Sequence, residues 1–211
     1  MHALIVVAHP NPRSLTLSIA QSIAAGVTRA DGGHTAEIAD LAAEGFDPRF
    51  TTADHAVHDR AGPPPPDVLA EQARLDDADA LVLVYPIYWW SMPALLKGWI
   101  DRVFSNGWAY DSSPDTGLVK KLHRLNVHLV GIGGADRGTY IRHGYFDAMN
   151  TQIAHGIFDF CGAHVVQSHF MLEAQTKDAM DNHAFAQAIG RRLFDSSIPV
   201  QADKDSDLAR C

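Results

Sequence analysis

Two stretches of the chain, residues 3–8 (Ala-Leu-Ile-Val-Val-Ala) and 80–85 (Ala-Leu-Val-Leu-Val-Tyr), are apolar without interruption. A strand covered on one face alternates apolar and polar positions, whereas these do not, so they predict strands buried on both faces, as in a parallel sheet. Residues 125–132 read as a third such strand, with 35–41 and 164–168 as less hydrophobic ones. Between them the period changes. Ile19, Ile23 and Val27 recur every four residues and predict a helix closed by Gly32-Gly33. Residues 67–77 read as another helix, and Leu95, Leu96, Trp99, Ile100, Val103 and Phe104 give a broad apolar face to a helix with Pro93 in its first turn. Further helices are expected around 145–160 and 177–195. The polar stretch 42–66 ends in four prolines, which predicts a long extended surface loop rather than a domain boundary. Residues 111–117 read as a loop and 199–211 as a tail without apolar period, so one domain is expected over 1–198. No internal repeat is evident. The alternation of strand and helix implies an α/β fold: five parallel strands with helices on both faces.

In such sheets a ligand sits outside the carboxyl ends of the strands, where the strand order reverses. The loops to read are therefore 9–16, 86–92 and 131–140. The first lacks Gly-x-Gly-x-x-Gly, the glycine pattern of dinucleotide-binding domains, and instead places His9, Arg13, Ser14 and Thr16 ahead of a helix. A helix start offers unpaired N–H groups and a positive dipole end, which suits a phosphate. The same residues also read as plain capping, with Ser14 or Thr16 starting the helix. In the second loop Tyr88, Trp89 and Trp90 are consecutive, and consecutive side chains of an extended segment cannot all point inward. Some of them face solvent, a second subunit, or a flat ligand, which aromatic rings bind by offset stacking. The third loop carries Gly131, Gly133 and Gly134, weak evidence alone, together with Arg137 and the phenol of Tyr140. A planar heterocycle bearing a phosphate, held without the dinucleotide glycines, points to a flavin.

Ala8-His9, Ser14, Tyr85-Pro-Ile-Tyr-Trp-Trp-Ser-Met-Pro-Ala-Leu-Leu-Lys-Gly-Trp-Ile-Asp-Arg-Val-Phe104, Gly133-Gly134, Tyr140 and Asp159-Phe-Cys-Gly162 together resemble the NAD(P)H:quinone oxidoreductase family of flavodoxin-like proteins. The resemblance covers about residues 2–195, and 85–104 is its most specific part. It implies a flavodoxin-like three-layer sandwich with strand order 2-1-3-4-5, FAD as cofactor with FMN as the alternative, NAD(P)H as co-substrate, a quinone or other small aromatic acceptor, and a homodimer sharing its sites. Carried over residue by residue, His9, Ser14, Leu15 and Thr16 match the flavin's phosphate and ribityl region. Pro86, Ile87, Tyr88, Trp89 and Trp90 match the wall beside its rings, and Gly133, Gly134 and Tyr140 its pyrimidine edge. Asp101 matches an acidic position near the dinucleotide. Tyr140 is the candidate catalytic donor. The family pairs that tyrosine with a histidine six residues later, where this chain has Phe146; His143 is the nearby substitute. The expected reaction is two-electron hydride transfer with ping-pong kinetics. Two other readings stand beside it: the ancillary flavoprotein of a potassium efflux transporter, and a flavodoxin-like electron shuttle.

Composition narrows the partners. Lys+Arg 17 against Asp+Glu 25 leaves a formal charge of -8, which disfavours nucleic acid or an anionic membrane as main partner. Cys161 and Cys211 are the only cysteines, which excludes a disulfide framework and fits a reducing cytoplasm; Cys161 reads as a small core residue. No export signal or integral membrane segment is expected. The 12 histidines show no ligand spacing, so no metal is assigned.

Overall fold

Alternate residues of β1 (His2–Val7) feed two different cores, and this double burial sets the architecture. In the computed structural model, which describes residues 1–113, 117–172 and 179–195, the further elements are α1 (Leu15–Arg29), β2 (Thr35–Asp40), α2 (Thr52–His58), α3 (Pro66–Asp77), β3 (Ala80–Pro86), α4 (Ala94–Val103), β4 (Tyr110–Ser113), β5 (Gly117–Lys120), β6 (Asn126–Ile132), α5 (Arg137–His143), α6 (Tyr145–Met149), a π-helix (Asn150–Asp159), β7 (His164–Met171) and α7 (Ala179–Arg192). β2, β1, β3, β6 and β7 lie side by side in that order, all parallel, which is 2-1-3-4-5 counted within the sheet. Ala3, Ile5, Val7, Val82, Val84 and Val130 pack under α1 and α7, whereas Leu4, Val6, Leu81, Leu83, Val127 and Leu129 pack under α3, α4 and the π-helix. The chain steps outward from β1 to β2 and then returns to the other side of β1 as β3. The switch point is thus between β1 and β3, at the carboxyl ends that carry the first two loops.

The stretch 42–66 departs from its expected extended form. Thr51 starts α2 with a reciprocal cap: the Asp54 amide donates to Thr51 Oγ1 at 3.3 Å, and the Thr51 amide donates to the Asp54 carboxylate at 2.7 Å. Asp54 is held in turn by Arg102 of α4, which is 5% exposed and bonds both Asp54 oxygens at 3.1 Å, Asp67 at 2.6 Å and the carbonyl of Asp47 at 2.8 Å. Burial alone would raise the Asp54 pKa, but the bonds from Thr51 and Arg102 hold it below the usual carboxylate range. Long-range charge pairing thus folds a segment whose composition reads as loop. Residues 111–113 and 117 are likewise not loop, since β4 and β5 pair as antiparallel strands. The helix expected around 145–160 is α6 continued as a π-helix, and Pro93 caps α4 from just outside it. The expected start of the last helix at Lys177, and the tail 199–211 with Cys211, lie outside the described residues. Cys161 is a core residue as expected; burial pushes its thiol up to about 11.

His128 of β6 is 2% exposed on the sheet face that α7 covers, and neither ring nitrogen has a hydrogen-bond partner among the described residues. Burial, with His169 of β7 nearby, lowers its pKa to about 4. An unfolded histidine titrates near 6.5, so between those values the unfolded chain binds the proton more readily. Stability should therefore be full near pH 7 and fall on acidification, by about 2 kcal/mol at pH 5 from this group. Urea denaturation at the two pH values checks this. His128→Leu should flatten most of the slope, with His169, also lowered by burial, supplying the remainder.

Candidate active site

Three loops meet at the carboxyl edge because β1, β3 and β6 are neighbours. After β1 the chain turns through 9–14, where the Asn11 amide donates to His9 Nδ1 at 3.0 Å and the Arg13 amide to Asn11 Oδ1 at 2.9 Å. Because Nδ1 accepts, Nε2 is the ring nitrogen left to donate, and it makes no hydrogen bond among the described residues. Ser14 is the N-cap of α1, accepting from the Leu17 amide at 3.2 Å. The capping reading thus holds for Ser14. Thr16 behaves differently: it is 3% exposed, and its hydroxyl makes no hydrogen bond among the described residues. Together with half-buried Leu15, Thr16 sits in the first turn of α1, where the dipole favours an anion.

The second loop leaves β3 at buried Pro86. The Ile87 amide donates to the Ile132 carbonyl at 2.8 Å, which ties this loop to the third. Tyr88 and Ser91 then close a tight reverse turn, exchanging backbone hydrogen bonds of 3.1 and 3.0 Å. Its central residues are Trp89 and Trp90, at φ 51° and 54°. That left-handed conformation ordinarily takes glycine or asparagine, and each bulky residue there costs about 1–2 kcal/mol. Non-glycine residues held in sparsely populated backbone regions cluster at functional sites. Trp89 is 88% exposed, whereas Trp90 stacks on Tyr145 at 3.9 Å with 24° between the planes.

The third loop leaves β6 with the Gly133 amide donating to the Met171 carbonyl at 2.9 Å. A Cβ on Gly133 would come within 2.6 Å of the Tyr140 hydroxyl, so the glycine makes room for this side chain rather than for a ligand. Gly134 is the one of the pair that faces open space. Asp136 caps α5, which turns Tyr140 inward: it is 2% exposed, and stacks on Phe146 at 5.0 Å. The Tyr140 hydroxyl makes no hydrogen bond among the described residues, and burial raises its pKa. Arg137 lies over the ring of Phe146 at 5.1 Å. His143 does not meet Tyr140 in a hydrogen bond; it is exposed at the end of α5 and stacks on Tyr145 at 5.3 Å. Gly144, at φ 67°, makes the break between α5 and α6 that sets Tyr145 between His143 and Trp90. Asp101 is engaged by Lys97 one helical turn away, at 2.6 Å. Sequence reading missed Tyr145 and Gln152, because neither belongs to a loop that follows a strand.

A family described as having a flavodoxin-like fold matches residues 1–193. Ribosyldihydronicotinamide dehydrogenase (quinone) of Pongo abelii is 30% identical over 210 residues, covering 90% of this chain and 89% of its own. An NAD(P)H oxidoreductase of Haemophilus influenzae is 31% identical over 170 residues, covering 79% and 81%. The solved NAD(P)H:quinone oxidoreductase from Methanothermobacter marburgensis superposes with a TM-score of 0.78 at 26% identity, over 92% of this chain and 96% of that one. The chain belongs to the NAD(P)H:quinone oxidoreductase family. It is accordingly an enzyme of the oxidoreductase class. Phe146 thus gives Tyr140 an apolar stacking neighbour, with the Arg137 guanidinium over the Phe146 ring. Among the described residues no cluster of three His, Cys, Asp or Glu could hold a metal, and no helix is long and apolar enough to cross a membrane.

Proposed function

We propose that this member of the quinone oxidoreductase family is a flavin-dependent NAD(P)H:quinone oxidoreductase. One observation carries the reading. At a single sheet edge, at the switch point, a helix start with unspent donors joins a strained turn of tryptophans and a buried phenol whose hydroxyl makes no hydrogen bond among the described residues. These residues fit a flavin. His9, Leu15 and Thr16 would hold its phosphate, with Ser14 shaping the helix start; Pro86, Ile87, Tyr88, Trp89 and Trp90 would flank its rings; Gly134 and Tyr140 would meet its polar edge, with Gly133 seating the phenol. A bound flavin, FAD or FMN, supplies two-electron redox chemistry between NAD(P)H and a quinone or similar aromatic acceptor. The chain's own part is to orient the rings with its aromatic turn and to aim the Tyr140 O–H where negative charge develops.

Releasing the cofactor by denaturation and identifying it chromatographically tests this directly. Absence of any flavin, together with failure to rebind FAD or FMN, would sink the reading. If donor and acceptor occupy one site in turn, initial rates for NAD(P)H and a simple quinone should give parallel double-reciprocal lines; intersecting lines count against it. The relatives reported above carry oxidoreductase names, and none favours the transporter-subunit reading.

The homodimer expected from the family has support in exposed apolar side chains around the paired strands β4 and β5. Phe50, Leu118, Val119 and Phe160 are each 41–46% exposed, and rings run from Phe50 through His58 and Tyr110 to Phe160 at 5.3–6.4 Å spacings. Light scattering on the purified protein should give twice the chain mass, and Phe160→Asp with Leu118→Lys should shift it toward the monomer. A dimer untouched by that pair of changes would place the interface elsewhere.

A further inference from the structure

The turn of Trp89 and Trp90 is braced from one side. Two contacts cross to it from the helical segment after Gly144: Trp90 stacks on Tyr145 of α6, and the Ser91 hydroxyl donates to Gln152 Oε1 at 2.6 Å. Gln152 is the third residue of the π-helix, whose i→i+5 winding is rare and recurs at functional sites. Trp89 adds little restraint, since it is 88% exposed and meets Trp90 edge-on at 6.1 Å. A turn with glycine and asparagine at its centre would hold its shape by backbone preference alone. This one has two bulky residues in the left-handed region, so relaxed conformations compete with it, and its shape depends on tethers from outside.

We propose that Gln152 is a positioning residue: by accepting the Ser91 hydrogen bond it latches the strained turn in the shape that presents the aromatic wall of the site. The inference deepens the flavin reading and rests on it for the effect on binding, while the latch itself is a property of the polypeptide. The alternative is an ordinary surface hydrogen bond with no influence on the turn, since Gln152 is exposed.

The deciding measurement is amide hydrogen exchange at Tyr88 and Ser91, whose amides close the turn, in flavin-free full-length protein. Gln152→Leu should speed exchange at both by roughly five- to tenfold, the Boltzmann factor of one net hydrogen bond, and leave Val82 and Val84 of β3 unchanged. Ser91→Ala should have the same effect, and the double variant should add nothing to either single one. Gln152→Glu keeps an acceptor oxygen and should stay close to the parent. FMN and FAD titrations in parallel should show Gln152→Leu binding about five- to tenfold more weakly at unchanged thermal stability, a split that a merely structural role would not produce. Unchanged exchange in Gln152→Leu, or additive acceleration in the double variant, overturns the proposal. If the parent binds neither flavin, the functional reading falls and exchange alone decides the latch.

Discussion

Arg102→Leu is expected to lower the free energy of unfolding by about 3–5 kcal/mol, the usual cost of stripping one partner from a buried ion pair. The magnitude follows from what is left behind. The Asp54 side chain is 1% exposed, and without Arg102 its charge has only Thr51 to satisfy it. Asp67, at 49% exposure, returns to water without penalty, so the loss concentrates at Asp54. Asp47 loses the donor that pins its carbonyl, which frees the segment leading into α2. Urea denaturation measures the effect, and a melting temperature lower by about 10 °C should accompany it in a chain of this size. Asp54→Asn in the same background should recover part of the loss, because a neutral amide tolerates burial better than a stranded carboxylate. A deficit under about 1 kcal/mol would mean that the network is worth no more than a surface pair.

Tyr140→Phe should leave the fold intact and cut kcat of NAD(P)H-dependent quinone reduction by about two orders of magnitude, the scale seen on removing one preorganised donor from a developing anion. The separation of the two effects is argued from the structure. The ring of Tyr140 packs against Phe146, Tyr145 and Phe170, contacts that phenylalanine keeps, while the hydroxyl makes no hydrogen bond among the described residues and so contributes none to stability. Steady-state kinetics and thermal melting of the same preparation check the split. A kcat within threefold of the parent would remove Tyr140 from its proposed role. A large fall in melting temperature would make it a core residue first.

Much of the framework was legible from hydrophobic pattern because parallel strands must be apolar on both faces. β1 and β3 announce themselves as unbroken apolar runs, and the positions that alternate between the two cores are the ones the pattern implies. Capping chemistry was legible in the same local way: Ser14 three residues before the Leu17 amide starts α1. Where the reading fell short, the cause was remote in sequence. α2 has a local signature in Thr51 and Asp54, but the polar, proline-bounded composition outweighs it until Arg102, 48 residues on, is in place. Gly133 reads in sequence as room for a flat ligand, whereas what a Cβ there would meet is the Tyr140 hydroxyl, a neighbour that no short-range spacing gives. Few of the histidines raised by the count join the site: His183, for example, bonds Ser22 at 2.7 Å and fastens α7 to α1.

By itself, then, the amino-acid sequence determined the class of fold, the three loops that follow β1, β3 and β6 at the carboxyl edge, and the family, since each of these rests on residue type and short-range spacing. Only the tertiary structure decided how those loops are shaped and held. Trp89 and Trp90 adopt a conformation their own backbone preferences oppose, in a turn where Tyr145 stacks on Trp90 and Gln152 accepts from Ser91, 55 and 61 residues away along the chain. Tyr140 is buried with a hydroxyl that makes no hydrogen bond among the described residues, and His143 is turned toward Tyr145. Contacts of that range depend on the simultaneous packing of several elements, and no local pattern encodes their direction.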